Sequence, residues 1–202
     1  MNGAPGLGAA AEALAAGLVV AIPTDTVYGL AVDPVRSGAV AALRRLKQRP
    51  DAVAVAVLVS DPAQAGALAA GGRFGRVARI LAERFWPGKL TLVVPRSPDL
   101  AWDLGGDDAT VGIRCPDHSA VTALCSSVGP VATTSANRHG EAPLTTAAEV
   151  VSTFGQALAA VVDGGICSGA PSTVVDCTGA DPTCLRHGAV PWADIEAVLS
   201  GR

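Results

Sequence analysis

Polar side chains that could bind a small molecule follow directly on the apolar residues 18–22. Residues 23–30 read PTDTVYGL and carry two threonine hydroxyls, a carboxylate, a phenol and a flexible glycine. Such side chains commonly converge on a ligand where a strand of an α/β sheet ends. Turns favour the same residue types, so this segment alone fits a pocket wall and an ordinary polar turn equally well.

Three cations could recognise an anionic ligand. Lys47 and Arg49 stand two residues apart at the predicted end of a helix, and in an extended segment both would face one side and could bind a polyphosphate. The helix dipole also favours cations at such an end, so a solvated helix terminus is the alternative. Arg114 follows the predicted strand 110–113 and could bind a substrate carboxylate through two hydrogen bonds.

A second group of side chains could contact a nucleotide. Ser135 and Asn137 follow the short predicted strand 131–134, where a hydroxyl and an amide could bind a sugar, a base or a phosphate. Arg186, close to Gly188, could contact a phosphate or a base. Each residue by itself also fits turn chemistry or a solvated surface, but the polar sites together favour a binding cavity.

Several common catalytic arrangements are absent from the sequence. It has neither the phosphate loop that ends in Gly-Lys-Ser/Thr nor the Gly-x-Gly-x-x-Gly turn of a dinucleotide-binding unit. The Gly-x-Ser-x-Gly elbow of serine hydrolases is also missing. An enzyme with this sequence would therefore work by positioning its substrates and neutralising their charge.

The composition limits the class of protein. Half of the 202 residues are apolar and 16% are charged, which suffices for the core of one domain. The net charge of −3 gives no general attraction to nucleic acid. Five cysteines without Cys-x-x-Cys spacing and three scattered histidines argue against a disulfide framework and against a metal site formed by the protein alone. Since no targeting or membrane-spanning stretch is visible, we expect a cytoplasmic protein without membrane contact.

Helical and strand periodicities alternate along the chain, and we expect one α/β domain over residues 1–202. Strands are predicted at residues 18–22, 52–59, 90–94, 110–113 and 131–134. Helix boundaries are predicted at Gly17, at residues 47–50, at Asp61, near Trp86, at Asp117 or Ser119, and at Thr145 or Thr146. The adjacent strands 90–94 and 110–113 favour a mixed sheet over a purely parallel one.

Seven motifs, taken in their order along the chain, resemble those of YrdC-type threonylcarbamoyl-AMP synthases. They are PTDTVYGL at residues 23–30, KQRP at 47–50, WPGKLT at 86–91, VGIRCP at 111–116, SAN at 135–137, DGG at 163–165 and STVVD at 172–176. The likeness runs from about Leu14 to about Gly188, and Lys-x-Arg followed by Ser-x-Asn is its specific part. The chain resembles the short, single-domain form of the family.

This resemblance implies a YrdC-like fold, with a twisted mixed parallel and antiparallel sheet and flanking helices around a deep positive cavity. It also implies that L-threonine, bicarbonate and ATP condense to threonylcarbamoyl-AMP and pyrophosphate, for the threonylcarbamoyladenosine modification of tRNA. The expected cofactor is Mg²⁺, arriving with ATP. The expected partners are the downstream tRNA threonylcarbamoyl-transfer machinery and, weakly, tRNA itself.

The resemblance further assigns roles to individual positions. Lys47 and Arg49 are expected to be catalytic. The positions expected to bind threonine are Thr26, Arg114, Thr133 and Ser172. The positions expected to bind ATP are Lys47, Arg49, Thr110, Ser135, Asn137 and Arg186.

The sequence also departs from the family pattern. Leu58 stands where a histidine is usual, so one polar contact to threonine is missing, and Pro143 replaces a residue that would offer a hydroxyl. His187 stands in place of the usual proline. Three other functions stay open. They are an RNA-binding module, a regulatory or scaffold protein that binds a nucleotide without turnover, and a related carbamoyltransferase that forms a carbamoyl-adenylate.

Overall fold

The computed structural model describes residues 4–48, 53–138, 140–167 and 169–201, and this part of the chain contains nine strands and seven α-helices. The strands are β1 (Val20–Ile22), β2 (Gly29–Val32), β3 (Ala56–Leu58), β4 (Leu90–Pro95), β5 (Thr110–Arg114), β6 (Val131–Ser135), β7 (Ala160–Val161), β8 (Thr173–Asp176) and β9 (Thr183–Arg186). The helices are α1 (Leu7–Ala15), α2 (Ala39–Lys47), α3 (Pro62–Leu68), α4 (Arg76–Phe85), α5 (Ser119–Val128), α6 (Ala147–Phe154) and α7 (Trp192–Ser200).

All nine strands form one sheet in the order β7-β1-β2-β6-β3-β5-β4-β8-β9. The pairs β1/β7, β3/β5 and β4/β8 are parallel, whereas the other neighbouring pairs are antiparallel. This order confirms the predicted mixed sheet with flanking helices. Whether the sheet surrounds a cavity of net positive charge stays a prediction.

The two faces of the sheet carry two separate hydrophobic clusters. On β1, Ala21 belongs to the larger cluster, which takes side chains from α2, α3, α4, α6 and α7, whereas Val20 and Ile22 belong to the smaller one with α1 and α5. Successive strand residues point to opposite faces, which explains this division. The same alternation on β4 buries Leu90 and Leu92 completely and turns Thr91 and Val93 towards a cavity.

Local signals place most helix ends as predicted. Asp61 accepts a hydrogen bond from the Gln64 amide at 2.8 Å and so caps α3, and Thr146 forms a capping box with Glu149 at the start of α6. The cap of α5 was predicted wrongly. It is neither Asp117 nor Ser119 but His118, whose ring Nδ1 accepts a hydrogen bond from the Ala120 amide at 3.2 Å.

Two strand predictions also need correction. The strand β2 was not predicted, because it begins at Gly29, inside the polar segment 23–30, and merges with it in the sequence pattern. The predicted strand 52–59 is reduced to Ala56–Leu58, and its residue 52 lies outside the described residues. Val55 leaves the ladder because its amide donates instead to the carbonyl of Leu104, in the loop between β4 and β5.

Candidate active site

A cavity of about 610 Å³ opens on the sheet and is lined by the ends and inward faces of several strands. This volume is within the roughly 300–1,000 Å³ that is usual for small-molecule sites. Seven residues predicted from the sequence line it together: Thr26, Thr110, Arg114, Thr133, Ser135, Ser172 and Arg186. They come from five separate segments, so the fold brings into one place groups that are up to 160 positions apart along the chain.

The hydroxyl of Thr24 organises the turn between β1 and β2. It donates to the carbonyl of Val27 at 2.7 Å and accepts from the amides of Thr26 and Val27 at 3.1 and 3.2 Å. Its proton is thereby used, so the 2.8 Å contact with the Thr26 hydroxyl has Thr26 as donor. This network fixes the Thr26 side chain at the cavity wall.

Tyr28 connects this turn to the Asp-Gly-Gly motif. Its phenol donates to the carbonyl of Gly165 at 3.0 Å and accepts from the amide of Gly164 at 3.1 Å. Burial raises the pKa of Tyr28, so the phenol stays protonated and keeps its donor. A side chain at Gly164 would come within 2.6 Å of Pro23, which explains the glycine at this close approach.

Arg114 is the last residue of β5 and is held by three groups. Its Nε donates to the carbonyl of Gly88 at 3.0 Å, its Nη1 donates to the Thr26 hydroxyl at 2.9 Å, and its Nη2 forms an ion pair with Asp25. The two charged side chains are 7% and 9% exposed. Desolvation lowers the pKa of Arg114, whereas the Asp25 carboxylate opposes that shift.

Ser172 is held by Thr91 and Arg186. Its hydroxyl lies 2.8 Å from the Thr91 hydroxyl and accepts from Nη2 of Arg186 at 2.9 Å, and Arg186 also donates to the Ser172 carbonyl at 2.8 and 3.1 Å. Desolvation of this guanidinium lowers the pKa of Arg186. Gly188 allows the arrangement, since a Cβ there would lie 2.5 Å from the carbonyl oxygen of Pro171 and the backbone of Ser172.

Lys47 and Asn137 lie behind Ser135 rather than among the lining residues. The Lys47 ammonium, in a residue only 4% exposed, donates to the carbonyl and the hydroxyl of Ser135 at 2.5 and 3.2 Å and to Oδ1 of Asn137. The Asn137 amide nitrogen donates to the carbonyls of Arg138 and Glu141, both at 2.8 Å, which directs Oδ1 towards the lysine. This buried cluster fixes Ser135 at the wall.

The backbone directly after Lys47 differs from the predicted extended segment. Lys47 ends α2, and Gln48 follows in the left-handed conformation with φ 53°. Arg49 lies outside the described residues. The prediction of an extended backbone is therefore wrong at Gln48, whereas the pairing of Lys47 with Arg49 stays a prediction.

The remaining predicted residues occupy different positions on the wall. Thr133 lines the cavity, but its hydroxyl proton is used by the carbonyl of Leu30 at 3.0 Å. Thr110, the first residue of β5, also lines the cavity. Leu58 and Pro143, which mark departures from the family pattern, are lining residues as well, so both departures affect the cavity itself.

Sequence reasoning missed two residues of the site. Thr91 was quoted within a motif but was given no role, although it contacts Ser172. Its signal is a lone hydroxyl between two fully buried leucines of β4. Asp25 was likewise given no separate role, because nothing in the sequence pairs it with Arg114, 89 positions further along the chain.

The described part of the chain contains no group of three or more His, Cys, Asp or Glu residues suited to holding a metal ion. Across residues 4–48, 53–138, 140–167 and 169–201, no helix has the length and apolar character that crossing a membrane requires.

The chain is similar to several known proteins. A family model named Sua5/yciO/yrdC and described as telomere recombination matches residues 12–188. A relative from Mycobacterium tuberculosis is 42% identical over 195 residues, which cover 96% of this chain and 89% of the relative. The threonylcarbamoyl-AMP synthase of Bacillus subtilis is 38% identical over 198 residues, covering 96% of this chain but 57% of that protein.

Solved structures agree with the sequence relatives. Pyrococcus abyssi Sua5 complexed with L-threonine superposes with a TM-score of 0.90 at 35% identity, over 96% of this chain and 57% of that one. Escherichia coli YciO superposes with a TM-score of 0.83 at 23% identity, covering 92% of this chain and 90% of that one, which supports the fold alone. The chain thus spans little more than half of the Bacillus and Pyrococcus proteins.

Proposed function

Since this chain belongs to the Sua5/YciO/YrdC family, we propose that it synthesises threonylcarbamoyl-AMP from L-threonine, bicarbonate and ATP and releases pyrophosphate. The observation that carries this proposal is the single cavity in which Arg114, Ser172 and Arg186 lie together with four other predicted residues. The relatives named threonylcarbamoyl-AMP synthase support the same reaction.

The threonine site is proposed to centre on Arg114. A guanidinium has five N–H donors, and the hydrogen bonds of Arg114 to described residues use three of them. One further N–H group is left on each of Nη1 and Nη2, and because two donors of a guanidinium can bind one carboxylate, we assign them to the carboxylate of L-threonine. Thr26, Thr133 and Ser172 complete the proposed site with oxygen atoms for the amine and hydroxyl of the substrate.

The ATP site is proposed on the same cavity. The amine of threonine and bicarbonate form a carbamate, and a carbamate oxygen attacks the α-phosphorus of ATP while pyrophosphate leaves. Because two anions must approach each other, cations at the wall lower the cost of the step. Arg186 and Arg49 are proposed to neutralise phosphate charge, and Lys47 adds its charge behind Ser135. Thr110 and Ser135 complete the wall of the proposed ATP site, and Asn137 supports it from behind by holding Lys47 and Ser135.

Mg²⁺ is proposed to enter bound to the phosphates of ATP. Among the described residues that line the cavity there is no carboxylate, the ligand that Mg²⁺ usually takes from a protein. The ion would neutralise part of the triphosphate charge. The hydroxyl and guanidinium groups of the wall would then bind the nucleotide oxygens that the ion leaves exposed.

The product is an activated, unstable mixed anhydride, so an enzyme that transfers its threonylcarbamoyl group must consume it. We propose that this consumer is the tRNA threonylcarbamoyl-transfer machinery and that the reaction takes place in the cytoplasm. With a net charge of −3, direct binding of tRNA would be weak and dependent on salt.

Pyrophosphate release with each substrate omitted in turn tests the reaction. We expect release to require ATP, bicarbonate and L-threonine together. We further expect Arg49→Ala to abolish it, while Arg45→Ala, which removes an exposed cation of α2, leaves it unchanged. Unchanged turnover in Arg49→Ala would remove Arg49 from the mechanism.

The same assay separates the alternatives. Turnover that needs carbamoyl phosphate instead of threonine would replace the proposed reaction by carbamoyl transfer. RNA binding with a steep salt dependence and no turnover would replace it by an RNA-binding role.

A further inference from the structure

Gly112 lies in the middle of strand β5, on the face of the sheet on which the cavity opens. Thr110 and Arg114, two residues before and after it, line the cavity on the same face. We propose that Gly112 is a specificity-determining residue, because its missing side chain leaves room on the sheet for the carbamate and the α-phosphate at the point where they react. This inference rests on the proposed function and deepens it.

The backbone of β5 does not require a glycine at this position. Gly112 does not adopt the positive φ angles at which glycine is favoured over other residues. A glycine inside a strand also weakens it, because the backbone loses more entropy on folding and no side chain packs on the sheet. Where a residue breaks a local rule of stability without a backbone reason, a role in function is the usual explanation.

The packing of the sheet does not require a glycine here either. A Cβ on Gly112 would lie 3.8 Å from the Cγ2 methyl groups of Thr91 and Val93, which is ordinary van der Waals contact. Gly29, which also lines the cavity, is different, because a Cβ there would come within 2.9 Å of the Thr133 hydroxyl. At position 112, therefore, the protein leaves space that a side chain could have filled.

The place of Gly112 along the strand suits the reacting atoms. The proposed contacts to threonine and to ATP lie at Arg114 and Thr110, one on each side of Gly112. Alternate residues of a strand are about 6.7 Å apart. In the product, five bonds join the carboxyl carbon of threonine to the α-phosphorus, a span of roughly 6 Å when extended. With the carboxylate bound at Arg114, the carbamate and the α-phosphate would therefore lie over Gly112.

A series of side-chain sizes at position 112 tests the inference. Gly112→Val adds a side chain that strands favour, so the midpoint of urea unfolding should equal the wild-type value or rise. Its methyl groups would displace the reacting atoms by about 1 Å or more, so kcat for pyrophosphate release should fall about 100-fold. Gly112→Ala adds a single carbon and should lower kcat by less than Gly112→Val does.

Two further measurements separate a role at the reacting atoms from general damage. The KM for L-threonine, whose carboxylate is assigned to Arg114, should change much less than kcat in both variants. Gly66→Ala on α3 is the matched control, because a Cβ there also makes only ordinary contact, 3.5 Å from the carbonyl oxygen of Gly72. Since Gly66 is not a lining residue, this variant should keep the wild-type kcat.

The outcomes distinguish this inference from the proposed function. Full wild-type kcat in a folded Gly112→Val would overturn the inference, and so would a loss of activity that follows a loss of stability in both variants. If Gly112→Val alone loses stability, Gly112→Ala decides, and wild-type kcat in that variant would overturn the inference. A wild-type chain that releases no pyrophosphate from L-threonine, bicarbonate and ATP would instead overturn the proposed function, and the inference with it.

Discussion

Removing the guanidinium of Arg114 should show how much its ion pair with Asp25 contributes to the free energy of unfolding. Both side chains are more than nine-tenths buried, and removing one partner of a buried ion pair costs about 3–5 kcal/mol because the other charge stays buried. The carbonyl of Gly88 also loses its donor at 3.0 Å, which adds about 1 kcal/mol. Arg114→Ala is therefore expected to lower the free energy of unfolding by about 4–6 kcal/mol.

A double-mutant cycle in urea measures the coupling of the pair. Asp25→Ala combined with Arg114→Ala removes both charges, so the double variant should be more stable than the sum of the two single effects by about 2 kcal/mol or more. Asp25→Asn keeps the shape of the side chain and removes its charge, so it can replace Asp25→Ala in the cycle as a less disruptive substitution.

The exposed pair Arg79–Glu83 on α4 is the matched control. Its atoms are 2.9 Å apart, but the side chains are 57% and 49% exposed, so its coupling should be about 0.3–0.5 kcal/mol. If the effects at Asp25 and Arg114 simply add, or if Arg114→Ala costs less than about 1 kcal/mol, the reasoning about this buried pair is refuted.

Three further predictions concern the scaffold. The hydrogen bond from the Gln64 amide lowers the pKa of Asp61 in the folded state. The Asp61 carboxylate therefore stabilises the fold above its unfolded pKa of about 4, and this stabilisation is lost as the pH falls through the lower folded pKa. In Asp61→Asn, the free energy of unfolding should vary less with pH in this acid range. Gly188→Ala places a Cβ 2.5 Å from backbone atoms, which cannot move aside as a flexible side chain can. We expect it to destabilise the fold by about 1–3 kcal/mol in thermal unfolding. Arg96→Ala removes the buried donor that holds the carbonyls of Leu100 and Trp102, so the loop after β4 should loosen and the Val55 amide should exchange faster with deuterium.

The sequence was informative where a single element carries its own signal. The apolar spacing of α2 and α4, the Asp61 cap and the apolar run of β4 are local, and the structure has each of them close to the predicted place. The polar strand ends were also recognisable as the wall of a cavity, because hydroxyl and cationic residues are unusual in an apolar core.

Long-range pairing is what the sequence could not specify. The contact of Asp25 with Arg114 and that of Thr91 with Ser172 depend on which strands become neighbours in the sheet. The burial of Lys47 depends on its contacts with Ser135 and Asn137, which are about 90 positions away along the chain. The left-handed conformation of Gln48 was also not predictable, because residues other than glycine, asparagine and aspartate rarely adopt it. His118 was not predicted as the cap of α5, because its ring nitrogen accepts the hydrogen bond that a side-chain oxygen accepts in most helix caps.

A crystal structure of the chain with L-threonine and a non-hydrolysable ATP analogue would test directly whether one cavity holds both substrates. We expect the threonine carboxylate on the N–H groups of Arg114, and the triphosphate in the same cavity against Arg186 and Ser135. Threonine bound away from Arg114, or the nucleotide bound outside this cavity, would contradict the account.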